Sequence, residues 1–284
     1  MSYAKPEALV STDWLARHLD APDVRVVDAT YILPPTTRDA RQEYEQRHIP
    51  GAVFFDIDDI ADSDSTLPHM LPSPEKFSSR ARKLGLGDGS RIVVYDTHGM
   101  MSAARVWWMF RAFGHGDVAV LDGGLPKWLK EGRPVEDMKP MPRDRHFTAR
   151  VNQFLVRDLD RVRGALEKKR EQVLDARSAG RFRGADPEPR QGLRGGHMPG
   201  AINVPYTNLL DPDAKTFLPA ERLAGVFKDA GVDLKKPIVT SCGSGVTACV
   251  VALGLYLLGR DDVAVYDGSW TEWGGRADTP VVTG

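Results

Sequence analysis

The chain holds two cysteines, Cys242 and Cys249, in different surroundings. Cys242 opens the run Cys242-Gly243-Ser244-Gly245-Val246-Thr247, between a β-branched stretch at Ile238–Thr240 and an apolar stretch with helical character at Val246–Leu258. A thiol that leaves the carboxyl end of a strand just before a helix stands where ligands bind in open α/β sheets. Gly243 and Gly245 let several backbone N–H groups converge on one point, and that ring of donors, with the helix dipole, favours a thiolate. The chemistry expected of Cys242 is therefore nucleophilic. Cys249 lies within Ala248-Cys249-Val250-Val251 and is read as core. Other chemistries fail on spacing. The two cysteines do not form a C-x-x-C pair, so no metal site is expected. A cysteine phosphatase would carry an arginine where this chain has Ala248. A Walker loop needs a lysine, which Gly245-Val246-Thr247 lacks, and the glycines at Gly85-Leu86-Gly87-Asp88-Gly89 precede a strand and read as a turn.

The elements that must hold this loop occur twice. Val26-Val27-Asp28-Ala29 is echoed by Val173-Leu174-Asp175-Ala176, and His48-Ile49-Pro50-Gly51-Ala52 by His197-Met198-Pro199-Gly200-Ala201. Ile92-Val93 returns as Ile238-Val239, Val118–Gly123 as Val263–Gly268, and Trp128 as Trp273, with offsets between 145 and 149 residues throughout. Each copy is long enough for its own core. Strands are predicted at Val24–Asp28, Ala52–Phe55, Ile92–Tyr95 and Val118–Leu121, then at Gln172–Asp175, Ala201–Val204, Ile238–Thr240 and Val263–Tyr266. The longest predicted helices, Met101–Phe113 and Val246–Leu258, each run into a glycine suited to a left-handed C-terminus, Gly114 and Gly259. Strand–helix alternation predicts an α/β fold: two tandem domains, each a mostly parallel sheet flanked by helices. The expected boundaries are 1–134 for the first domain, 135–150 for a polar, proline-containing linker and 151–284 for the second. Asp96 stands in the first copy where Cys242 stands in the second, so the second domain is expected to be catalytic and the first inactive. His48 and His197 occur in both copies and read as structural.

Composition narrows the class. Among 284 residues, 38 Lys+Arg face 39 Asp+Glu, and this balance lacks the basic excess of a nucleic-acid or membrane-surface binder. The longest mostly apolar run, Val246–Leu258, is shorter than the roughly 20 residues of a spanning helix. The N-terminus shows no basic-then-apolar leader, and two cysteines make no disulfide scaffold, so a cytoplasmic protein is expected.

The CGSGVT run at 242–247, the doubled domain with its HxPGA and DGG/DGS–Trp signatures, and DARxxxRFRG at 175–184 resemble the two-domain rhodanese-fold sulfurtransferases over essentially the whole chain. The loop is similar to that of the mercaptopyruvate-type branch, whereas thiosulfate-preferring members carry basic residues there. The resemblance implies a Cys242 persulfide formed from 3-mercaptopyruvate with release of pyruvate. The sulfur then passes to a thiol acceptor such as thioredoxin, or to cyanide, without an organic or metal cofactor. It assigns Arg181 and Arg190 to the substrate carboxylate, a role that arginine geometry suits; from the residues alone they could equally be solvated surface. It places Gly243, Gly245, Val246 and Thr247 around the substrate, and it links Ser244 to His69 and Asp58 of the first domain as a proton path. The residues agree on charge: with Gly243 and Ser244 neutral, the loop suits a monocarboxylate better than a dianion, its cations lying farther out. The alternatives are a thiosulfate sulfurtransferase on the same fold and a non-enzymatic sulfur-carrier or regulatory module.

Overall fold

The structure, a computed structural model, describes residues 2–33 and 36–284. The first sheet contains β1 (Leu9–Val10), β2 (Val24–Asp28), β3 (Val53–Phe54), β4 (Arg91–Tyr95) and β5 (Val118–Leu121), in the order β1-β5-β4-β2-β3. The second repeats it with β6 (Val156–Arg157), β7 (Gln172–Asp175), β8 (Ile202–Asn203), β9 (Ile238–Ser241) and β10 (Ala264–Tyr266), in the order β6-β10-β9-β7-β8. Every pairing is parallel. The sequence pattern predicts four strands per copy and misses β1 and β6. These are edge strands of two residues each, too short to show a period. The two-domain α/β fold itself is as expected.

β4 and β9 lie in the middle of their sheets, and every residue of β9 is buried. Each leads through a loop into a helix, Ser102–Ala112 in the first domain and Ala248–Leu257 in the second. Both helices are apolar around most of their circumference, the pattern of a helix buried on all sides. They pack against each other across the domain boundary, and Trp107 meets Tyr256 edge-on at 5.3 Å. One core cluster therefore runs through both domains, joining Val94, Trp107 and Phe110 to Val250, Leu253 and Val265. The second helix begins at Ala248 and not at the predicted Val246. Cys249 N–H donates to Val246 O at 3.2 Å, a tight turn that leaves Val246 and Thr247 in the loop.

Residues 135–150 run along the first domain. Glu136 pairs with His48 in an antiparallel bridge, His146 O accepts from Asp88 N–H at 3.0 Å, and Phe147 is buried against Phe77 and Phe110. The second domain repeats the bridge between His197 and Val282. His48 and His197 also turn Nδ1 to a backbone carbonyl, of Tyr44 at 2.7 Å and of Phe182 at 2.8 Å. Among the described residues no helix is long and apolar enough to cross a membrane.

Candidate active site

β9 delivers Cys242 to the floor of a cavity of about 280 Å³, walled by Gly243, Ser244, Val246, Thr247, Arg181, Arg190, Arg177, Tyr206 and Leu33. Cys242 is only 2% exposed. The loop is tied down from behind. Cys242 N–H donates to Ser269 Oγ at 3.1 Å, and the carbonyls of Cys242 and Gly243 accept from Trp270 N–H at 3.0 Å and Thr271 N–H at 2.9 Å. Gly245 does not line the cavity. It turns the chain with φ +76°, and a Cβ there would stand 2.8 Å from Asp267 O, so its role is backbone shape. Cys249 is fully buried beneath the loop, its Sγ donating to Gly245 O at 3.2 Å, and burial pushes its thiol far up, which leaves it an inert core group.

A larger cleft of about 630 Å³ opens on the first domain beside Arg38, Glu43, Arg47 and Thr97. Its loop carries Asp96 and no thiol, so size does not mark the chemistry here. Met100 and Met101 of that loop are buried in the first domain.

The two arginines singled out in the sequence reach the same cavity. Arg181, from the helix Ala179–Arg183, grips Glu188 with Nε at 3.2 Å and Nη2 at 2.6 Å. Glu188 also accepts from Arg177 Nη1 at 2.8 Å, and Arg177 is held by Asp175 at 2.6 Å and lies 4.2 Å over the ring of Trp270. Asp175 at the end of β7 thus fixes Arg181 through an alternating chain of charges. A Cβ built on Gly243 would lie 3.1 Å from Arg181 Nη2 and 3.9 Å from Arg190 Nη1. The cations therefore lie against the thiol loop, not farther out as the loop sequence suggests. Glu188 offsets the charge of Arg181.

His69 comes from the first domain, at the tip of a loop, with φ +62° and 4% exposure. Its Nδ1 lies 2.6 Å from Asp58 Oδ1, and its Nε2 lies 3.3 Å from Arg190 Nη2. An arginine only donates, so this network puts the ring proton on Nδ1, facing Asp58, and leaves Nε2 as acceptor. The same Arg190 Nη2 donates to Ser244 Oγ at 3.3 Å. The four residues come together, but in the order Asp58, His69, Arg190, Ser244. Arg190 stands between the histidine and the serine that the sequence reading joins directly.

Sequence reasoning passes over Glu188, Arg177, Tyr206 and Leu33. Glu188 had a signal, since it lies two residues from Arg190 in Asp186-Pro187-Glu188-Pro189-Arg190. Burial foremost, then the charges of Asp96 and Cys242, pushes the Tyr206 phenol up, so it stays a neutral hydroxyl in the cavity wall.

Known proteins resemble this chain along nearly its whole length. The family described as Rhodanese-like domain matches residues 11–131 and again 158–276. Human 3-mercaptopyruvate sulfurtransferase is 48% identical over 276 residues, covering 95% of this chain and 93% of the relative. Rat thiosulfate sulfurtransferase is 46% identical over 277 residues, with the same coverage of 95% and 93%. The crystal structure of SseA from Escherichia coli, described as a 3-mercaptopyruvate sulfotransferase, superposes with a TM-score of 0.85 at 41% identity, covering 93% of this chain and 98% of SseA.

Proposed function

This chain belongs to the rhodanese-like family through both of its halves and is a sulfurtransferase, and we propose that its sulfur donor is 3-mercaptopyruvate and that Cys242 carries the sulfur. Identities of 48% and 46% to relatives named for different donors do not separate the donors. The cavity chemistry supports mercaptopyruvate. Glu188 holds Arg181 in two hydrogen bonds, so the arginine pair presents to a substrate little more than one net positive charge, which fits one carboxylate. That is the observation that carries the reading.

In the first half-reaction the Cys242 thiolate attacks the sulfur of 3-mercaptopyruvate. A sulfur–sulfur bond forms, the carbon–sulfur bond breaks, and its electron pair leaves as the enolate of pyruvate. One proton to carbon completes pyruvate and leaves a Cys242 persulfide. Arg181 and Arg190 hold the carboxylate by charge-assisted hydrogen bonds. Ser244, His69 and Asp58 form the proton path, with Arg190 coupling carboxylate binding to it, because the same Nη2 touches His69 and Ser244. In the second half-reaction an acceptor nucleophile, a thiol such as that of thioredoxin or else cyanide, takes the outer sulfur and restores the thiolate. Two free cysteines, one of them catalytic, suit a reducing compartment such as the cytoplasm.

Side-by-side turnover of 3-mercaptopyruvate and thiosulfate, with cyanide as acceptor, tests the donor. The expected result is a clear preference for mercaptopyruvate in kcat/KM. A preference for thiosulfate would make the thiosulfate sulfurtransferase reading the better one.

A further inference from the structure

The imidazole of His69 has unequal partners. Its side chain is 2% exposed, but that of Asp58 is 58% exposed, so the carboxylate facing Nδ1 is bathed in water and fixes the ring weakly. Arg190 Nη2, 3.3 Å from Nε2, is shared with Ser244. The plane of the ring is set by a third contact. The ring of Tyr31 meets the imidazole edge-on, with centroids 4.6 Å apart and planes 70° apart, an arrangement favoured by the opposite charges of a ring's face and edge. Burial foremost, then the charge of Asp58, pushes the Tyr31 phenol up to about 12, so the ring stays neutral beside the histidine.

Tyr31 is fixed in turn by the loop that carries Asp96. Thr97 N–H donates to Thr30 Oγ1 at 3.1 Å, His98 Nε2 donates to Tyr31 O at 3.0 Å, and Tyr31 N–H donates to Ser102 Oγ at 3.1 Å. Ser102 is fully buried, and Asp96 accepts from the N–H groups on either side of it, of Met101 and Ala103, both at 2.8 Å. The loop without a thiol is thus a rigid mount, and Tyr31 is what it carries. The duplicate lacks both rings: the aligned halves place Ser178 opposite Tyr31 and Lys215 opposite His69. Shared architecture therefore does not account for the contact.

We propose that Tyr31 is a positioning residue for sulfur transfer: its ring, mounted on the Asp96 loop, holds the imidazole of His69 in the plane that turns Nδ1 to Asp58 and Nε2 to Arg190. The proposal rests on the sulfur-transfer reading for its kinetic consequence. An imidazole free to rotate would lose both partners at once, and with them the single tautomer that the proton path uses. The first domain then serves the reaction through its anion-filled loop, which keeps that ring in place. The role requires a flat ring and no hydroxyl, so phenylalanine should serve at position 31 and an aliphatic side chain should not.

The test compares Tyr31→Phe and Tyr31→Leu in the full-length enzyme, with Tyr31→Ser, the residue of the second copy, in reserve if the leucine variant does not fold. Folding is checked by circular dichroism and thermal unfolding. Nitrogen-15 histidine spectra, with His69 assigned through His69→Asn, read which ring nitrogen carries the proton and respond little to the loss of a neighbouring ring. Wild type and Tyr31→Phe should show one form, protonated on Nδ1, and Tyr31→Leu should show mixed or broadened tautomers. With 3-mercaptopyruvate, kcat of Tyr31→Leu should fall roughly 10-fold, because a misplaced group slows the chemistry, while KM stays within about three-fold, because Arg181 and Arg190 still hold the carboxylate. Tyr31→Phe should keep the wild-type kcat. A folded leucine variant with wild-type kcat or a wild-type His69 tautomer, or a phenylalanine variant as impaired as the leucine one, would overturn the proposal. If the wild type fails to turn over mercaptopyruvate, the donor reading falls, and the histidine spectra still decide whether Tyr31 holds His69.

Discussion

At the carboxyl end of β4, Asp96 closes its own loop. One carboxylate oxygen accepts from the N–H groups of His98 and Gly99 at 2.9 and 2.8 Å, and the other from Met101 and Ala103, both at 2.8 Å. At the carboxyl end of β9 the backbone follows the same plan with Cys242 in that place. There the corresponding N–H groups of Ser244, Gly245 and Thr247 donate to no protein acceptor among the described residues. The first domain therefore displays what such a loop binds: a negative charge, met by four amides at once. In the first domain the anion is built in and permanent. In the second, on the proposed reading, Cys242 takes that place and carries the sulfur that is transferred, with the amides free to meet the negative charge that develops there. Around the two loops the contents diverge as well, with Arg177 opposite Thr30, His69 opposite Lys215 and Arg105 opposite Val251.

The largest effects should come from exchanging the residues at the two loop positions. Cys242→Ser should abolish turnover while leaving thermal unfolding close to wild type, because a serine hydroxyl is not ionised near neutral pH and stores no sulfur. The reciprocal Asp96→Cys should not create a second active site, since Lys215 faces the Asp96 loop where His69 faces the thiol loop; turnover should stay at the wild-type level, and a doubled rate would show that a thiol in the cradle is sufficient.

The arginines sharpen the comparison at the next level. Losing a charge-assisted hydrogen bond removes about 1.5–3 kcal/mol, so Arg181→Ala and Arg190→Ala should each lower kcat/KM by roughly one to two orders of magnitude. They should differ in form. Arg181 touches Glu188 and, on the proposed reading, holds the substrate carboxylate, so its loss should appear mainly in KM; Arg190 also touches His69 and Ser244, so its loss should lower kcat as well. Identical patterns in steady-state kinetics would mean that Arg190 takes no part in the proton path.

Placing basic residues on the thiol loop is the next smaller change. In Gly243→Arg/Ser244→Lys the ratio of thiosulfate to mercaptopyruvate activity should rise at least roughly tenfold, since a unit charge pair at 4 Å and an effective dielectric near 20 is worth about 4 kcal/mol. Much of the change should be lost mercaptopyruvate activity. The new side chain at 243 would start 3.1 Å from Arg181 Nη2, and Ser244 would be gone. A proportional fall with both donors would show that the loop does not set donor choice.

The smallest effect concerns stability. Asp175 is paired with Arg177, but its counterpart Asp28 is buried with one oxygen unpartnered, and burial pushes its carboxyl up to about 6 despite hydrogen bonds from Thr30. A carboxyl raised above its unfolded value binds its proton more tightly in the folded state, so stability from this group is full below pH about 4 and is lost as pH rises through about 6. Asp28→Asn should remove that loss and stabilise the protein at pH 8 by up to about 3 kcal/mol, with a flatter pH dependence between pH about 4 and 6 in denaturant titrations. An unchanged pH profile would place the titration elsewhere.

The duplication and the thiol loop were legible in the sequence because both are written in residue identities at a constant offset. Asp96 against Cys242 could be read by simple alignment of the halves. The edge strands β1 and β6 were not legible, since two residues carry no periodicity. Nor was the interposition of Arg190 between His69 and Ser244, which depends on how one domain lies against the other. Arg105 had a visible signal that went unused: a lone charge in Ala103-Ala104-Arg105-Val106-Trp107-Trp108, an otherwise apolar run, with no charged counterpart in the second copy. A buried charge of that kind must have a partner, and here the partner, Asp267, lies 162 residues away in the other domain.

The central claim is that the second loop holds transferable sulfur on Cys242 while the first holds only a fixed anion. Intact-mass analysis of the enzyme after brief exposure to 3-mercaptopyruvate without acceptor, followed by peptide mapping, tests it most directly. The account predicts one added sulfur atom, on the peptide carrying Cys242, removable by cyanide and absent from Cys242→Ser. Sulfur found on Cys249, or none found on an enzyme that is releasing pyruvate, would contradict it.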